Sequence, residues 1–191
     1  MDLLLGIEGD RVVPGGLVSS GTEEQIFRAH HRLLGSFAPE WGTFLSEIRN
    51  RTHTLFSLNP PTVQPIGKVG EALKDLRSAG FRLGVATSDS YVNAVRDLAA
   101  HGEEWIEFWA TSDRLKHPKP HPESVFAFAD FLGVMPEQIA FTGDSSVDLQ
   151  AARTAGVGTF IAVRSATCPP EVLAAADAVV ETVEEVAGVL S

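Results

Sequence analysis

Residues 139–156, IAFTGDSSVDLQAARTAG, hold the pattern that decides the fold. Ile139 to Thr142 form a short apolar run that reads as a buried strand, Gly143 permits a tight exit, and residues 147–155 read as a helix stopped by Gly156. A strand followed at once by a helix is half of a βαβ unit, the building block of a parallel sheet.

The same alternation runs outward in both directions. Val69, Ala72, Leu73 and Leu76 stripe a helix ended by Gly80, and residues 81–86 follow as a strand. A helix is predicted over 90–100, a short strand over 108–110, and a helix over 123–132 stopped by Gly133. Strands at 158–163 and 178–180 and a last helix near 182–190 complete the series. The first third differs. Thr22 and Gln25 stand in capping-box spacing, Ile26, Ala29, Leu33 and Leu34 share a helical face, and Gly35 ends the segment. Trp41, Phe44, Leu45, Ile48, Leu55 and Phe56 repeat the helical spacing up to the breaker Asn59-Pro60-Pro61. The expected division is a helical segment over 1–64 and an α/β core over 65–191.

The chain has 191 residues, 15 Lys plus Arg against 25 Asp plus Glu, a formal charge of -10, and one cysteine, Cys168. Ordinary globular composition excludes a disordered tail protein. One Cys cannot close an internal disulfide, and no stretch has the order of a secretory signal, so the cytoplasm is the expected compartment. The longest early apolar stretch, Leu3 to Leu5 with Ile7, is far shorter than the roughly 20 residues of a membrane span. Cations scattered singly in an acidic chain give no footprint for a nucleic-acid backbone. Neither a membrane nor a nucleic acid is an expected partner, and a phosphate-bearing ligand would need a local site.

In parallel α/β sheets ligands bind beyond the carboxyl ends of the strands. The residues there are Thr87-Ser88-Asp89-Ser90, Thr111-Ser112-Asp113 and Gly143-Asp144-Ser145-Ser146-Val147-Asp148, with the loop Lys116-His117-Pro118-Lys119-Pro120-His121-Pro122 between the last two. Asp144 and Asp148, four apart at a helix start, suit Mg²⁺, which takes one or two carboxylates and keeps several waters. The plainer alternative is that Asp144 or Ser145 caps the helix and Asp148 is a favourable acid in its first turn. Thr87, between strand and helix, can offer a hydroxyl and neighbouring amides to phosphoryl oxygens, or simply cap the helix. Lys119 sits between prolines that restrict its path; a solvated loop lysine is the alternative, and Lys116 is its rival. His30, His31, His117 and His121 lack Cys or carboxylate partners at metal-ligand spacing, and Trp41, Trp105 and Trp109 read as packing residues.

Taken in order, Ala86-Thr87-Ser88-Asp89-Ser90, then Lys119-Pro120-His121-Pro122, then Phe141 to Leu149 with Ala155-Gly156 resemble the second to fourth motifs of the haloacid dehalogenase superfamily, in its phosphoglycolate-phosphatase-like branch. The resemblance covers about residues 64–190. It implies a Rossmann-like parallel sheet flanked by helices, a small N-terminal helical cap, and Mg²⁺-dependent hydrolysis of a small phosphorylated metabolite. By that likeness Thr87 would hydrogen-bond the transferring phosphoryl group, with Ser88 and Asp89 beside it. Lys119 would neutralise its charge, His121 would contact substrate, Asp144 would bind Mg²⁺, and Asp148 would bind the ion or hold its water. Positioning and charge neutralisation are what phosphoryl transfer requires.

The family's first motif, an Asp-x-Asp pair ending a central strand, has no counterpart before residue 64. Either Leu3 to Glu8 is that strand in degraded form, with Gly6 and Glu8 in place of the acids, or the chain begins inside the cap. The turn-forming residues Gly9-Asp10-Arg11 and Pro14-Gly15-Gly16 favour the second. In both cases the nucleophile is missing, and the expectation is a hydrolase relative that is inactive as it stands. The alternative is a non-catalytic phosphate- and Mg²⁺-binding or interaction protein. A receiver-like signalling domain is disfavoured, because no acid ends an early central strand.

Overall fold

The computed structural model describes residues 7–8, 11–12, 21–58 and 65–191. Near the start, β1 (Ile7–Glu8) and β2 (Arg11–Val12) pair antiparallel in a sheet of their own. Ile7 and Glu8 therefore pair with their chain neighbours and not with a parallel strand; Leu3 to Gly6 lie outside the described residues.

Two helices follow, α1 (Glu23–Leu34) and α2 (Trp41–Leu58). Thr22 and Gln25 form the anticipated capping box, the Thr22 hydroxyl accepting from the Gln25 amide and the Gln25 side chain accepting from the Thr22 amide. Gly35 takes a positive φ at the helix end. The helices meet through His31, whose ring stands edge-on to Trp41 and Phe44, and Phe27, Ala29 and Phe44 are buried. Arg49 to Glu23 adds an ion pair between them.

The remainder alternates helix and strand: α3 (Val69–Ser78), β3 (Gly84–Ala86), α4 (Tyr91–Leu98), β4 (Phe108–Ala110), α5 (Glu123–Leu132), β5 (Ala140–Gly143), α6 (Ser146–Ala155), β6 (Thr159–Val163), α7 (Pro170–Ala175), β7 (Ala178–Val180) and α8 (Val186–Val189). Every strand pair in this part is parallel, but the strands form two sheets, β3–β4 and β5–β6–β7. Strand β6 carries the core. Phe160 and Ala162 face Ala152, Ala155 and Val172, while Ile161 and Val163 pack on the other side with Val180, Val186 and Leu76. Apolar residues on both faces are what an interior parallel strand requires, since helices cover each side.

Three elements depart from the sequence reading. The strand predicted over 81–86 is confined to Gly84–Ala86, because the Phe81 amide closes the end of α3 on the Leu76 carbonyl. The predicted last helix is split into a 3₁₀ turn, Val183–Glu185, and α8. Helix α7 was not anticipated: six residues opening on Pro169-Pro170 are too short to show a helical period. Among the described residues no helix is long and apolar enough to cross a membrane.

Candidate active site

The carboxyl ends of β3 and β5 open into a cleft of about 390 Å³. Its core wall is Thr87, Ser88, Asp89, Asn93, Lys119, Asp144, Ser145, Val147 and Asp148, and its opposite wall is Gly21, Glu23, Ile26, Phe27 and Thr52 from the first two helices. Six of the seven site residues expected from sequence thus line one cleft.

Lys119 is the centre of the arrangement. Its ammonium donates to the Ala86 carbonyl, 2.9 Å away at the end of β3, and to Asp148 Oδ1 at 2.5 Å. The two side chains are only 10% and 8% exposed, so the pair is held largely out of water. An ammonium has three N–H donors, and these two bonds leave one for a ligand. Lys116, the rival in the sequence, lies outside the cleft lining, and its backbone amide instead donates to Glu123.

Asp148 is fully engaged. Besides Lys119, its Oδ2 accepts from the Ser145 amide at 3.2 Å and from the Ser145 hydroxyl at 2.5 Å, while the Ser145 oxygen caps the Asp148 amide. The capping role and the Lys119 bond coexist in one carboxylate. Gly143 is required beside it, because a Cβ there would stand 2.6 Å from the Asp148 Cβ. Asp144 is different: its Oδ2 accepts from the Ser165 hydroxyl at 2.7 Å, and among the described residues Oδ1 accepts no hydrogen bond. One carboxylate oxygen open to the cleft suits a hard cation that keeps most of its waters. Among the described residues no group of three or more His, Cys, Asp or Glu is clustered as a metal cage.

Thr87 prolongs the β3–β4 ladder by donating its amide to Ala110, and its hydroxyl accepts from the Asp89 amide at 3.1 Å. Its oxygen is therefore set at the head of the turn while its proton stays free to donate outward. Burial pushes the Asp89 carboxyl up, against a hydrogen bond from Asn93 that lowers it. Glu23, Asp89, Asp144 and Asp148 set four carboxylates against one cation in the lining, a field that favours a bound cation. Burial, with Asp144 nearby, also raises the Cys168 thiol, which keeps it neutral.

His121 is the expected residue that the cleft leaves out. Its Nδ1 accepts from the Glu123 amide and its ring packs edge-on against His117. Asp113 also stays out, capping α4 by accepting from the Tyr91 amide and the Thr111 hydroxyl. Sequence reasoning missed Asn93, Ser165 and the four side chains of the opposite wall. Ser165 lies just past β6, where the strand-end rule would have found it; Glu23, Ile26, Phe27 and Thr52 carry no local signal, since only packing brings them over the cleft.

A profile of the haloacid dehalogenase-like hydrolases matches residues 19–163, from just before α1 to the end of β6. The chain belongs to that haloacid dehalogenase-like hydrolase family. Among curated members, a phosphoglycolate phosphatase of Salmonella choleraesuis is 35% identical over 89 residues, which is 46% of this chain and 35% of that protein. The pyrophosphatase PpaX of Halalkalibacterium halodurans is 30% identical over 100 residues, 52% of this chain and 46% of that one. The chain thus matches less than half the length of these haloacid dehalogenase relatives. A solved structure, a predicted phosphoglycolate phosphatase from Haemophilus somnus, superposes with a TM-score of 0.76 at 18% identity. It covers 90% of this chain and 79% of its own, and bears on the fold alone.

Proposed function

We propose that this chain carries the phosphate- and Mg²⁺-holding part of a phosphomonoester hydrolase site, and that these 191 residues bind a small phosphorylated metabolite without hydrolysing it. The observation that carries this reading is the Lys119 bridge between Ala86 and Asp148 beside Thr87 and Asp144. The Thr87 hydroxyl and the remaining Lys119 N–H receive phosphoryl oxygens, and the Ser88 amide adds a donor at the start of the turn. Asp148 acts through Lys119 and Ser145, fixing where the ammonium points. Asp144 is the carboxylate that would hold Mg²⁺, with Ser165 fixing its rotamer. When bound, the ion would supply charge neutralisation at the phosphoryl oxygens. Residues 1–64 serve as a cap, whose Ile26 and Phe27 exclude water from the cleft while Glu23 and Thr52 contact the non-phosphate end of the ligand. The match to a phosphoglycolate phosphatase makes 2-phosphoglycolate the first ligand to try, and the cytoplasm is the compartment we infer.

No Asp-x-Asp precedes residue 64, and this favours binding without turnover. Calorimetry with 2-phosphoglycolate, with and without Mg²⁺, tests the reading. Mg²⁺-dependent binding that Asp144→Asn and Lys119→Met abolish is expected. Absence of binding sinks the site assignment, and phosphate release that Asp144→Asn abolishes sinks the claim of no turnover. The same absence supports a second reading, a non-catalytic binding protein. Sequencing upstream of the Met1 codon separates the two: an in-frame Asp-x-Asp segment marks a hydrolase, a stop codon a binding protein.

A further inference from the structure

The turn that follows β3 is braced from outside the cleft. At every second residue its main chain is bound by the end of β4. The Thr87 amide donates to the Ala110 carbonyl at 3.0 Å, and the Asp89 carbonyl accepts from the Ser112 amide at 2.9 Å and from the Ser112 hydroxyl at 3.1 Å. The Tyr91 amide donates to Asp113 Oδ1 at 2.9 Å. The pairing of the two strands thus continues past its last ladder residues, Ala86 and Ala110, with the side chains of Ser112 and Asp113 joining the backbone.

The far side of the brace is itself fixed. Thr111 is 0% exposed and donates its hydroxyl to the same Asp113 oxygen at 2.6 Å. The Tyr91 ring stands edge-on to Trp109 and has the Arg114 guanidinium 3.3 Å from its centre. Helix α4 has no side-chain cap of its own, since Ser90 makes no capping hydrogen bond; Asp113 satisfies the first helical amide from the next strand instead. Residues 111–114 lie outside the cleft lining, so they touch the turn and not its ligand.

We propose that Ser112 and Asp113 are positioning residues for phosphate: through the Asp89 carbonyl and the Tyr91 amide they hold the backbone from Thr87 to Tyr91 in the conformation that presents the Thr87 hydroxyl and the Ser88 amide to a phosphoryl group. This role rests on the phosphate reading of the Thr87 turn. A turn free to sample other conformations would have to be ordered by the ligand, and every residue ordered on binding costs affinity. The Asp113 carboxylate suits the task because a charged acceptor binds an N–H more strongly than a neutral one. The same segment runs on to Lys119, whose ammonium bonds the Ala86 carbonyl just before Thr87. One stretch of chain therefore sets both the hydroxyl and the cation that face the phosphoryl group.

The test is calorimetry of the whole purified chain with inorganic phosphate and Mg²⁺, together with amide hydrogen exchange. Asp113→Ala should weaken phosphate binding about fivefold, the usual cost of a lost helix cap. Asp113→Asn keeps an acceptor oxygen and should bind within about twofold of the parent. In Asp113→Ala, exchange should quicken at the Asp89 and Tyr91 amides and keep the parent's rate at Gly143 to Asp148. If that variant does not fold, Ser112→Ala, which removes one of the two bonds to the Asp89 carbonyl, should show the same pattern at about twofold. Parental phosphate affinity in the folded variant overturns the proposal. So does quickening that extends equally to Gly143 to Asp148, because it would mark a general loss of stability. A parent chain that binds no phosphate overturns the reading of the cleft and this role with it, whereas a parent that binds beside unaffected variants overturns the positioning role alone.

Discussion

Strands β3 and β6 are both parallel strands of one α/β core, yet they live in different surroundings. β6 has a hydrogen-bonded neighbour on each edge and helices over each face, and Phe160, Ile161 and Ala162 are 0% exposed. β3 is paired on one edge only among the described residues, and Gly84 is exposed with Val85 and Ala86 half-buried. Sequence and neighbours both contribute: Phe-Ile-Ala has two large apolar side chains to bury, whereas Gly-Val-Ala has one of medium size. Burial of a parallel strand is conferred by what lies on both its edges and both its faces.

The sharpest way to break this contrast is to truncate one side chain on each strand. Phe160→Ala should cost about 4 kcal/mol, because the cavity left among Ala152, Ala155 and Val172 cannot collapse, while Val85→Ala should cost about 1 kcal/mol beside a space already open. Urea denaturation of both variants measures the two values; equal losses would mean that β3 is as fully enclosed as β6.

Lys119→Met probes what ties the halves together. It leaves the Asp148 carboxylate buried with only Ser145 to satisfy it, and removal of one partner of a buried pair typically costs about 3 kcal/mol. Hydrogen exchange should quicken at Gly84–Ala86 more than at Thr159–Val163. A uniform change across both sheets would show that the bridge is not local to β3.

The smallest effect belongs to the rim of the well-enclosed half. Asp177 accepts a bidentate pair from Arg153 and the Phe160 amide, and these bonds hold its carboxyl below the ordinary 3.8. With the folded value lower than the unfolded one, its contribution is fully present above the ordinary value and is lost as pH falls through the lowered one. Asp177→Asn should therefore lower Tm modestly at neutral pH, the group being well exposed, and the gap from the parent should shrink as the solution is acidified. A gap that stays constant with pH would assign the effect to packing instead.

Much of the fold was legible in residue order. Gly133 and Gly156 stop α5 and α6 in the left-handed conformation that glycine adopts without strain, so those helix ends were readable from single residues. Helix α7 was not, because six residues carry too little periodicity. In the site, Thr87, Ser88, Asp89, Asp144 and Asp148 were legible because strand ends in a parallel sheet converge on one side. The choice of Lys119 over Lys116 rested on the flanking prolines and the family likeness, and the placement of His121 outside the cleft carried no signal in sequence.

By itself the sequence determined the alternation of helix and strand, the parallel class and the carboxyl-end clustering of the polar residues, since these follow from periodicity and local turn chemistry. Only the tertiary structure decided that Asp148 spends both oxygens on Lys119 and Ser145 while Asp144 keeps one open. It also decided which side chains of α1 and α2 cover the cleft, and that the Ser124 hydroxyl is buried with no hydrogen-bond partner among the described residues. Hydrogen-bond partners and enclosed space are settled by contacts between residues far apart in the chain, and residue order encodes those contacts only through the packed whole.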